Sequence, residues 1–77
     1  MNPVLDYIGP NLGAITAATT YDRLRSAEAD AHSTILYWAV GYYETPGVVP
    51  VDVLRECLDA VRDAVHAWHD AQRPLRA

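Results

Sequence analysis

The segment PVDVLRECLDAVRDAVHAWHDAQ, residues 50–72, decides the fold. Leu54, Leu58, Val61, Val65 and Trp68 recur at alternating four- and three-residue steps, the spacing of a heptad seam along one side of an α-helix. Val53, Cys57, Ala60, Ala64, Ala67 and Ala71 run beside that seam and widen the apolar surface to roughly half the helix circumference. A single neighbouring helix contacts less than that, so this helix is expected to touch two. Pro50 suits the first helical position, where its fixed φ is pre-organised and its missing N–H is no loss. Asp52 and Glu56 lie near the positive end of the helix dipole.

Upstream, residues 20–44 read as a second long helix. Thr19 or Thr20 can cap it, Asp22 stands in its first turn, and TPG at 45–47 stops it. At 100° per residue, Leu24, Ala27, Ala31, Ile35, Trp38 and Tyr42 gather within an arc of roughly 80°. The small residues at 27 and 31 allow another helix to approach closely. Residues 1–19 are weakly patterned: Pro3 can open a short helical piece ending at Ile8, GPNLG at 9–13 interrupts it, and Asn11 can cap a further short turn. The expectation is one all-α domain over 1–77: a short helical or irregular segment over 1–19, an antiparallel hairpin of helices 20–44 and 50–72 across a turn at 45–49, and a tail at 73–77. Two such hairpins are expected to pair as a four-helix bundle in a homodimer.

That expectation comes from ILYWAVGYY, residues 35–43, which carries no charge. Ile35, Trp38 and Tyr42 belong to the core side, Leu36, Ala39, Val40 and Tyr43 point elsewhere, and Tyr37 points to a third side. A helix apolar all round is buried on several sides. One short segment and one long helix do not cover them all, unless the N-terminal segment folds back and suffices. A second copy is therefore expected on an interface of Leu36, Val40, Tyr43, Trp38, Tyr42 and Trp68. As a helix the nine residues span about 13 Å against the roughly 30 Å of a bilayer core, so no membrane span is expected.

Composition narrows the function. Ten carboxylates face six arginines, for a formal net charge of −4, which argues against a protein that binds nucleic acid by neutralising phosphates. Cys57 is the single cysteine, so intrachain disulfides are not available, and a lone thiol fits a reducing compartment. MNPVLDYIGP lacks the pattern of a secretory signal, and the expected location is cytoplasmic.

No catalytic constellation is visible. Cys57 has no histidine within one turn to activate it, and the default reading is a buried, inert thiol. His66, His69 and Asp70 are weak metal-ligand candidates: the histidines are three apart, but no third ligand stands in a recognised spacing, and His32 is isolated. Asp52, Glu56, Asp59, Asp63 and Asp70 form an acidic stripe down the last helix, flanked by Arg55, Arg62 and Arg73. Such a stripe suits a partner-facing surface, or an inhibitor that imitates a phosphate backbone. The reading these residues favour is a small acidic, non-catalytic protein–protein interaction module, an adaptor or inhibitor, without a cofactor. The alternative is a small-molecule or metal binder using Trp38, Tyr42 and Tyr43, or the His66 and His69 pair.

Overall fold

The computed structural model describes residues 2–43 and 50–72, including the side chains of all but Tyr42 and Tyr43. The expected turn at 45–49 and tail at 73–77 lie outside the described residues. Among the described residues four helices follow one another: α1 (Pro3–Tyr7), α2 (Gly9–Thr16), α3 (Tyr21–Tyr43) and α4 (Val51–Gln72). Among the described residues there is no strand, and no helix is long and apolar enough to cross a membrane.

The long helices start as their sequences dictate. Thr20 Oγ1 accepts the Arg23 N–H at 3.2 Å, which satisfies one of the donors left over in the first turn of α3. Pro50 stands just before α4, and its carbonyl accepts the N–H groups of Val53 and Leu54 at 3.1 and 3.4 Å. The two helices run antiparallel. Tyr21 at the start of α3 lies 6.5 Å from Trp68 and 6.3 Å from His69, ring to ring, near the end of α4.

The N-terminal segment is more regular than its sequence pattern implies. GPN does not interrupt it: Gly9, Pro10 and Asn11 form the first turn of α2, where a proline lacking its N–H is harmless. Ile8 joins the two pieces, since its N–H donates to Val4 and its carbonyl accepts from Leu12. Asn11 is therefore not a cap. It lies inside the helix and donates through Nδ2 to Thr34 Oγ1 on α3, at 3.3 Å. The cap of α1 is Asn2, whose Oδ1 accepts the Leu5 N–H at 3.0 Å. Its Nδ2 also donates to the Val53 carbonyl and to Glu56, at 3.1 and 3.3 Å, which ties the start of α1 to the start of α4.

At the other end, the Trp68 indole N–H donates to the Ala18 carbonyl at 2.7 Å. The pair α1–α2 thus runs alongside α4 and against the direction of α3, as one rod kinked at Ile8. It packs on both long helices, and the molecule is a three-rod bundle. The third side of the hairpin is taken by the chain itself.

Val4, Ile8 and Ile15 from the kinked rod, Leu24, Ala31, Ile35 and Ala39 from α3, and Cys57, Val61, Ala64 and Trp68 from α4 form the core. Among the described residues no polar or charged residue is buried. The buried line of α4 is displaced from the expected seam, for Leu58 is 48% exposed while the flanking Cys57 and Ala64 are buried. The cause is that α4 faces two rods at once, so its inward direction falls between them. Ala39 is likewise buried, a correction to its grouping with Leu36 and Val40: it follows Ile35 by four residues and so lies only about 40° from it on the helix.

Candidate functional site

Burying the line Leu24, Ala31, Ile35 and Ala39 turns the opposite side of α3 to solvent. Over its last three turns that side carries apolar groups. Leu36 is 62% exposed, Tyr37 71% and Val40 40%. Large apolar groups exposed next to one another on so small a molecule mark an interaction surface more often than a chance distribution.

One edge of this surface is built by α1. Tyr7 lies flat on Trp38, with ring centroids 4.1 Å apart and planes 12° from parallel. Tyr37 meets the same indole edge-on at 5.5 Å and 90°. Both arrangements suit the quadrupoles of the rings. Trp38 is thereby half-buried beneath Tyr7 while Tyr37 stands outward. Together with Ser33, Leu36, Val40 and Gly41, the three rings line an open groove of about 800 Å³.

The expected interface residues therefore separate. Leu36 and Val40 are on the open surface, and Trp38 contributes the floor. Trp68 is not: it is a core residue whose indole N–H is satisfied by Ala18 within the chain. The side chains of Tyr42 and Tyr43 lie outside the described residues. Tyr7 and Tyr37 complete the surface. Tyr7 has no periodic signal in a five-residue helix, while Tyr37 stood alone on its own side of the wheel.

The acidic stripe lies along the outer side of α4. Asp52, Glu56, Asp63 and Asp70 are exposed, and Asp59 is partly so. Arg62 lies 3.6 Å from Asp59 and 3.4 Å from Asp63, an exposed arrangement worth little to stability. Glu56 accepts from Asn2. The stripe is thus partly neutralised in its middle by Arg62.

His66, His69 and Asp70 do not converge on a metal site; among the described residues no group of three or more such ligands comes together. His69 packs edge-on to Trp68 at 5.2 Å. Cys57 is fully buried, with Asn2 Nδ2 3.7 Å from its sulfur. Burial pushes the thiol above its ordinary range and the nearby Glu56 carboxylate adds to this, against the opposing pull of the Asn2 contact. A buried thiol held protonated is a poor nucleophile.

No family model matches this chain, and no curated protein or solved structure is significantly similar to it.

Proposed function

We propose that the protein is a small non-catalytic interaction module that acts as a homodimer, with the open side of α3 as the dimer surface and the acidic side of α4 facing a protein partner. The observation that carries this reading is the exposure of Leu36, Tyr37 and Val40 on a helix whose opposite side already supplies the core. The dimer joins two three-rod bundles through α3, not two bare hairpins, because α1–α2 occupies one side of each hairpin. Its mode of action is occlusion or scaffolding, with no bond made or broken.

Light scattering on a size-exclusion column tests the dimer. The expected mass at tens of micromolar is that of two chains, and Leu36→Glu is expected to halve it with helicity unchanged. A folded wild-type monomer at that concentration would end this reading. Charge reversal at Asp52 and Asp63 is expected to abolish capture of the partner from a cell lysate without altering the dimer.

A second reading draws on the groove, whose volume of about 800 Å³ and aromatic floor suit a planar apolar ligand. Saturable quenching of Trp38 fluorescence by a planar aromatic dye, lost in Tyr7→Ala, would favour it.

A further inference from the structure

Ser33, Tyr37 and Gly41 stand four residues apart and form one straight row along the open side of α3, with Leu36 and Val40 in a second row beside it. The row pairs a large projecting group with a gap. Tyr37 is 71% exposed, and a Cβ built on Gly41 would meet no other atom within 4 Å. Nothing among the described residues therefore requires a glycine at position 41. A glycine in a helix is less stable than alanine by about 1 kcal/mol, so this one weakens α3 without filling a close approach to any described residue.

Charge and area name the occupant. No charged residue occurs from Ser33 to Tyr43, in a chain whose net charge is −4. Two copies repel one another on average, and this stretch of α3 is one on which they can meet without bringing its own carboxylates together; the exposed Asp6 stands beside Tyr7 on α1. From their fractional exposures, Tyr7, Leu36, Tyr37 and Val40 leave roughly 400 Å² of side-chain surface per copy. Two copies would bury about twice that before any polar rim is counted, close to the roughly 1,000 Å² that separates a specific interface from a casual contact.

Resting on the homodimer reading above, we propose that α3 packs antiparallel on α3 of a second copy about a two-fold axis midway between Tyr37 and Gly41, so that Tyr37 of each copy lies on Gly41 of the other. A two-fold interface is self-complementary: if residue i meets residue j, then j meets i. The row has that property, because a single projection and a single gap, one helical turn apart, exchange places under the rotation. Leu36 and Val40 flank the crossing on one side and Tyr7 on the other. The glycine then has a purpose, which is to let a tyrosine ring lie against the helix backbone.

Two measurements test this. Gly41→Leu fills the gap and is expected to weaken dimerisation at least tenfold while leaving the helical circular dichroism intact or increased. A glycine serving only the monomer would give the opposite pattern, a changed fold with the dimer retained. In a Cys57→Ala background, Tyr37→Cys and Gly41→Cys chains are mixed and mildly oxidised. The mixture is expected to yield more covalent dimer than either chain alone. If Cys57→Ala fails to fold, the Gly41→Leu measurement in the native chain decides. A wild-type dimer that survives Gly41→Leu, or shows no preference for the mixed cross-link, would overturn this crossing and leave the homodimer reading standing. A folded wild-type monomer would overturn both.

Discussion

The two halves of α3 bury the same line and present different surfaces. From Tyr21 to His32 the helix turns Leu24 and Ala31 inward and Asp22, Arg23, Arg25 and Asp30 outward, with Arg25 and the half-buried Glu28 paired at 3.6 Å. From Ser33 to Tyr43 it turns Ile35 and Ala39 inward and Leu36, Tyr37 and Val40 outward. The first half is an ordinary amphipathic helix. The second has a core side of the same kind and an outer side that, beyond the Tyr7 stack on Trp38, no described residue covers. What differs between the halves is thus an exposed apolar side that the described part of the fold leaves uncovered, and it is the surface that the proposed dimer uses.

The comparison breaks most sharply at adjacent residues. Ile35→Ala is expected to cost about 2–5 kcal/mol, because it opens a cavity among the buried aliphatic side chains of the core. Leu36→Ala, one residue on, is expected to change monomer stability by no more than about 0.5 kcal/mol, in line with other surface substitutions. Urea midpoints at submicromolar concentration measure both, and similar costs at the two positions would mean that the outer side is covered within the chain.

Next in size is Tyr7→Ala. Loss of the stack on Trp38 is expected to cost about 0.5–1.5 kcal/mol beyond the lost area and to shift the Trp38 emission to the red. An unchanged spectrum would show that α1 is not seated on α3 in solution.

The smallest effect concerns Cys57. Its pKa is raised on folding by burial, so above the ordinary thiol range the unfolded chain has released a proton that the folded chain still holds. Stability is therefore fully present below that range and declines as pH rises through it. The Cys57→Ala variant is expected to lack this component of the alkaline decline. In the native protein the thiol is expected to react with a disulfide reagent far more slowly than in urea. Equal rates would mean that Asn2 and α1 do not shield it.

Much of the fold was legible because its signals are local. Thr20 marks the start of α3 by its own hydrogen-bonding chemistry, Pro50 stands one residue before α4 and not at its first position, and the period of Leu24, Ala31 and Ile35 names a core side without reference to any partner. The N-terminal rod was hard to read because Gly9 and Pro10 are compatible with either a break or a first turn. The α4 seam was misplaced for a related reason: a period identifies an apolar arc, but which part of the arc is buried depends on where the neighbours stand. Hence Leu58 is out and Ala64 is in. Of the candidate site, Leu36 and Val40 were visible as surplus apolar groups. Tyr7 was not, since its place on Trp38 joins residues far apart in the chain.

The sequence by itself determined that this chain is helical, where its long helices begin, and that one of them carries more apolar surface than a hairpin can bury. Those properties follow from side-chain period, capping groups and the absence of charge over eleven consecutive residues from Ser33 to Tyr43. Tertiary structure alone decided which surplus remained. Docking of the kinked α1–α2 rod consumed Trp68 and part of Trp38 and left Leu36, Tyr37 and Val40 in the open. A helix has one circumference, and only the positions of its neighbours settle how much of it stays exposed.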